Sequence, residues 1–105
     1  MKIFVYGNHS CHSGSAAVTR YIRNIIHEAG HEYIDNETGK LEDADYVIVN
    51  GEGSLHDKSS DNTIGGGKLK ICRKAKQLGI KSSLINTVWQ NNTDPVMIDI
   101  LKNDI

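Results

Sequence analysis

The segment Tyr46-Val47-Ile48-Val49-Asn50-Gly51-Glu52-Gly53-Ser54-Leu55-His56-Asp57 restricts the fold more than any other part of the chain. Tyr46 to Val49 is a short β-branched apolar run and reads as a buried strand. It passes directly into Gly51 and Gly53 on either side of Glu52, which reads as a tight turn at the strand's C-terminal end. In open parallel α/β sheets ligands bind at that end of the strands. Polar side chains here are therefore site candidates on position alone.

The rest of the chain supplies the matching elements. Lys2 to Tyr6 is apolar and β-prone and ends at Gly7. Asn8 to Ser15 is a polar loop in which Ser13 or Ser15 would cap the following helix. Ala17, Val18, Tyr21, Ile22, Ile25, Ile26 and Ala29 recur at spacings of three and four, and Gly30 sits where a helix C′ glycine belongs. His31 to Ile34 is a second strand, followed by polar, turn-rich sequence to Asp45. Gly65-Gly66-Gly67, each costing a helix roughly 1 kcal/mol relative to alanine, place the start of the next helix at Lys68. That helix runs to Leu78, with Leu69, Cys72, Ala75 and Leu78 on one face. Lys81 to Val88 is a fourth strand. Thr93 or Asp94 caps a last helix with Pro95 in its first turn. The expected fold class is α/β: one three-layer domain over residues 1–105, with a parallel sheet of about four strands and helices on both faces. Right-handed crossovers would bring the loops after strands one, three and four to one edge.

The chain has 105 residues, 38% of them hydrophobic, which suits one domain with a modest core. Net charge is −1, so there is no electrostatic footprint for nucleic acid. Lys68, Lys70, Arg73, Lys74 and Lys76 fall at helical spacing and read as a solvated face. Cys11 and Cys72 make no disulfide framework. The apolar N-terminal run is too short for a signal peptide, and no segment reaches the length of a membrane span. A reducing cytoplasm is the expected location.

Three loops carry the candidate chemistry. The first contains Gly7, Asn8, His9, Ser10, Cys11, His12, Ser13, Gly14 and Ser15. It is either an anion cradle before a helix N-terminus or a plain loop with a cap. It matches neither the dinucleotide fingerprint nor the P-loop. His9, Cys11 and His12 are ligand types for zinc, with His56, Asp57 or Glu52 to complete the set. Their spacing fits no standard motif, and adjacent Cys11 and His12 tend to point apart, so no metal is expected. The second loop contains Asn50, Gly51, Glu52, Gly53, Ser54, His56 and Asp57. Glu52 is either a general base and hydroxyl binder or an acceptor anchoring its own loop. His56 is either a proton shuttle or an exposed loop residue. The third loop contains Asn86, Thr87, Trp89, Gln90 and Asn91. There Trp89 either walls the site or caps the core.

Asp43-Ala44-Asp45-Tyr46-Val47-Ile48-Val49-Asn50-Gly51-Glu52-Gly53-Ser54-Leu55-His56 resembles the central signature of the polysaccharide pyruvyl transferase family. Ser83-Leu84-Ile85-Asn86-Thr87-Val88-Trp89-Gln90 resembles that family's second motif, and Gly7-Asn8 with the Ser13-Gly14-Ser15 helix entry is a looser match to its first loop. The resemblance implies the Rossmann-like or flavodoxin-like half of a GT-B-type enzyme that moves pyruvyl from phosphoenolpyruvate onto a sugar. It implies Glu52 and His56 as catalytic groups. Gly7, Asn8, His9, Ser13, Gly14, Ser15, Asn50, Gly51, Gly53, Ser54, Asn86, Trp89 and Gln90 would bind ligand. Members of the family are considerably longer and have two lobes. The expectation for this chain is accordingly a stand-alone N-terminal lobe that binds a sugar phosphate, a nucleotide, or a host or phage protein. The alternative is a transferase component completed by a homo-oligomer or a second subunit. No cofactor is expected, and neither nucleic acid nor a membrane is an expected partner.

Overall fold

The computed structural model describes residues 1–7, 14–55, 64–89 and 93–105. Strands β1 (Lys2–Tyr6), β2 (Glu32–Asp35), β3 (Tyr46–Leu55) and β4 (Lys81–Trp89) form one sheet. Its order is β2-β1-β3-β4, and every neighbouring pair is parallel. Helix α1 (Gly14–Glu28) connects β1 to β2, α2 (Ile64–Gln77) connects β3 to β4, and α3 (Pro95–Asn103) follows β4.

The two-residue period of the strands divides the core into two layers. Ile3 and Val5 face α1 and pack on Ile22 and Ile26. Phe4, Val47 and Val49 face the other way, onto Leu69, Cys72 and Ala75 of α2 and Met97 and Ile100 of α3. The central strands are thus covered on both sides, as their unbroken apolar sequence requires. Asp94 caps α3, accepting from the backbone N–H of Val96 at 2.9 Å and of Met97 at 3.2 Å, with Pro95 in the first turn. Arg73 ties α2 to α3 through Asp99 and through Asp104, the latter at 2.7 Å. Lys74 pairs with Glu42 at 2.8 Å and holds Glu42 below the usual carboxylate range by that hydrogen bond.

Several boundaries differ from the sequence expectation. β3 does not turn at Gly51 and Gly53 but runs on to Leu55, because β4 lies alongside it as far as Trp89. β4 therefore reaches one residue past the expected end at Val88, so Trp89 is also strand; Asn86 and Thr87, counted among the third loop's candidates, lie within the strand as its expected span already placed them. α2 begins at Ile64, so Gly65, Gly66 and Gly67 are helical; propensity is a weak prior, and in a first turn the N–H groups have no intrahelical partner in any case. Ser15 is the second residue of α1 and so is not its cap. The buried stripe of α1 is Ala16, Thr19, Ile22 and Ile26, whereas Tyr21 and Ile25 are exposed; Leu78 is also exposed. The basic stripe is no uniform solvated face, since Lys68 is only 4% exposed and Arg73 and Lys74 are paired. Burial pushes the thiol of Cys72 up, as fits a core cysteine.

On β2, Tyr33 lies under Arg23, 5.7 Å from its ring centroid, and edge-on to His27 at 6.2 Å. Burial, reinforced by Asp35, pushes the Tyr33 phenol up to about 12 from 10.0. The neutral phenol is the form that the fold favours. Its contribution is complete below the unfolded value and is lost as pH rises from 10 towards 12. For this half-buried ring, with solvent screening allowed for, the loss is about 1 kcal/mol. Tyr33→Phe should flatten the fall in unfolding free energy over that window, measured by urea denaturation at successive pH values.

Candidate functional site at the carboxyl edge of the sheet

The carboxyl ends of β1, β3 and β4 meet around Asn50. Parallel pairing sets Tyr6 beside Val49 and Ile85 beside Asn50. Asn50 continues the α1-facing alternation of Tyr46 and Ile48, so its side chain enters the layer between sheet and helix. It is fully buried. Its Nδ2 donates to Thr19 Oγ1 at 3.3 Å, and its Oδ1 accepts from Asn86 Nδ2 at 2.9 Å. Burying such an amide without partners costs about 1–3 kcal/mol, which is why a threonine occupies the otherwise apolar stripe of α1.

Two glycines permit this convergence. A Cβ on Gly7 would lie 2.7 Å from Thr19 Oγ1, so only glycine lets the threonine approach β1. The Gly7 N–H donates to Asn36 Oδ1 at 3.1 Å. Asn36 is presented by a turn in which Asp35 accepts from the N–H groups of Glu37 and Thr38, both at 2.8 Å, and from Thr38 Oγ1 at 2.8 Å. At Gly51 a Cβ would meet Thr87 Cβ at 2.3 Å. From the opposite face of the sheet Lys68, at the start of α2, donates its ammonium to the Gly51 carbonyl at 2.7 Å.

The strand itself is irregular here. The pairing advances from Asn50 opposite Ile85 to Gly53 opposite Thr87, so β3 carries one residue more than β4. Opposite that bulge, Asn86 has φ +54°, the one left-handed non-glycine residue among those described. Asparagine tolerates this region better than most residues, and bulges often re-aim side chains beside functional sites.

Of the residues expected at the site, Gly7, Asn50, Gly51 and Asn86 are brought together. Gly14 opens α1 with open space about its Cα. Ser15 lies in α1, Glu52, Gly53 and Ser54 in β3, and Trp89 at the end of β4. Asn8, His9, Ser13, His56 and Gln90 lie outside the described residues, as do Cys11, His12 and Asp57. Among the described residues no group of three His, Cys, Asp or Glu side chains is placed to hold a metal ion. Within the same residues no helix is long and apolar enough to cross a membrane.

Thr19, Asn36 and Lys68 were not legible as site residues. Thr19 did carry a signal: it precedes Ile22 by three and Ile26 by seven, and so shares their face. Lys68 adjoins Leu69, whose burial draws the lysine's base inward. Arg20 and Arg23 lie on the exposed side of α1.

A cavity of about 450 Å³ lies at the opposite edge, lined by Tyr46, Lys76, Ile80, Lys81, Asn103 and Asp104. The C-terminal ends of α2 and α3 lie there, beside the Lys76 and Lys81 side chains. The carboxyl edge, with its buried amide bonded through both Nδ2 and Oδ1, is the better built of the two. Compared with protein-family models, with curated proteins and with solved structures, the chain gives no match.

Proposed function

We propose that this domain is a pyruvyl transferase-like binding module that takes a sugar phosphate or nucleotide-type ligand at the carboxyl edge of its sheet. The observation that carries this reading is the buried Asn50 amide, held by Thr19 and Asn86 at the point where β1, β3 and β4 end. The exposed Asn86 amide, held in orientation by the buried Asn50 beneath it, suits the hydroxyls of a sugar. On the other side of β3, the bond from Lys68 to the Gly51 carbonyl ties the start of α2 to the same edge. Glu52 and His56 would bind or deprotonate a sugar hydroxyl, with Gly7, Asn8, His9, Ser13, Gly14, Ser15, Gly51, Gly53, Ser54, Trp89 and Gln90 around them.

The Asn50-to-His56 signature favours a second reading, in which the domain moves pyruvyl from phosphoenolpyruvate to a polysaccharide precursor as part of an oligomer or with another subunit. Thermal unfolding with millimolar glucose 1-phosphate, uridine diphosphate glucose or phosphoenolpyruvate tests both. A ligand at 100 times its Kd stabilises by about 2.7 kcal/mol, a shift easily read in the unfolding midpoint. Stabilisation by either sugar compound, lost in Asn86→Ala, supports the binding module. Pyruvyl transfer from phosphoenolpyruvate to the sugar nucleotide supports the second reading. If none of the three compounds moves the midpoint, the binding reading fails.

A further inference from the structure

We propose that Asn86 is a conformational latch, whose bond to Asn50 holds the far halves of β3 and β4 in a bulged register. Three observations converge on it. Asn86 sits at φ +54° in the middle of a strand, where an L residue gains nothing from the left-handed region unless something holds it there. Its Nδ2 donates at 2.9 Å to Asn50 Oδ1, and Asn50 is itself buried and tied to Thr19. The extra residue of β3 falls between Asn50 and Gly53, directly opposite.

The competing state is well defined. With residue 86 extended, pairing would continue from Asn50 opposite Ile85 to Gly51 opposite Asn86, Glu52 opposite Thr87, Gly53 opposite Val88 and Ser54 opposite Trp89. No bulge remains in that register. This slip changes which residues of the two strands stand opposite one another from Gly51 onward. The latch thus selects between two arrangements of the segment from Gly51 to Leu55, whatever ligand the edge takes. Near Val49 the strand cannot follow, since it is locked by the core on one side and by β1 on the other. Any group that competes for Asn50 Oδ1 or the Asn86 amide would shift the balance between the two registers.

The decisive variant is Asn86→Gly, because glycine adopts a positive φ freely but cannot make the bond. Cross-strand nuclear Overhauser contacts in the full chain report the register. The latch predicts that Asn86→Gly loses the Gly53–Thr87 pairing and gains the Glu52–Thr87 pairing. Asn86→Asp should keep the bulge, because its carboxylate can accept from a turned Asn50 amide and it also tolerates the left-handed region. Retention of the bulged register in Asn86→Gly would overturn the proposal and assign the backbone conformation to the bulge alone. Should Asn86→Gly not fold, hydrogen exchange in the unaltered chain decides. The latch predicts that the amides of Gly53, Ser54 and Leu55 exchange together, about tenfold or more faster than those of Val47 and Val49. Uniform protection along β3 would overturn it.

Discussion

Replacing Gly51 with alanine is expected to destabilise the domain by about 3 kcal/mol, near the upper end for overpacking a filled site. The added methyl would lie 2.3 Å from Thr87 Cβ, 2.8 Å from its Oγ1 and 3.0 Å from its Cγ2. All three atoms belong to one side chain, and its Cβ is fixed to the backbone of β4, so rotation of Thr87 cannot relieve the contact. The strands would have to part where Lys68 grips the Gly51 carbonyl. Thr87→Gly removes all three clashing atoms and should restore much of the loss in the double variant. A double-mutant cycle by urea denaturation would then show strong favourable coupling between positions 51 and 87. Additive losses would mean that the strands do not meet at these residues.

Leu69→Ala should cost about 3–4 kcal/mol, in the range of fully buried leucine truncations that leave a cavity. Leu69 has no exposed surface and sits among Val47, Val49, Cys72, Met97 and Ile100, where both helices of that face meet the sheet. A loss of that size lowers the midpoint of a domain this small by about 15 °C or more. Leu78 is the internal control. Its place in the α2 periodicity suggests the same face, but it is 46% exposed beyond the helix end. Leu78→Ala should cost less than about 1 kcal/mol. Equal losses at the two positions would contradict the packing of α2 described above.

How much of this was written in the sequence depends on whether the deciding interaction is local. The parallel three-layer fold was legible because short β-branched runs and helical periodicities alternate, and the Asp94–Pro95 cap because its chemistry is confined to one turn. Asn50 and Gly51 were legible as site residues because they end an apolar run. What stayed hidden depends on a neighbour. β3 continues past Gly53 only because β4 accompanies it, and no pattern within residues 46–55 announces that partner. Thr19 breaks the apolar stripe of α1 for the sake of an amide 31 residues later. Lys68 looked like one of several surface cations, and only the packing of α2 on β3 distinguishes it. The left-handed Asn86 follows from pairing across two strands, so its own sequence neighbours give no hint of it.

Backbone amide resonances followed while glucose 1-phosphate is added show whether the amide cluster at the carboxyl edge is a ligand site. A ligand site there gives saturable shifts at Gly7, Thr19, Asn50, Gly51 and Asn86, with Ile80, Lys81 and Asn103 at the opposite edge unmoved. Shifts confined to Ile80, Lys81 and Asn103, or no saturable shift at Asn50 and Asn86, would contradict it.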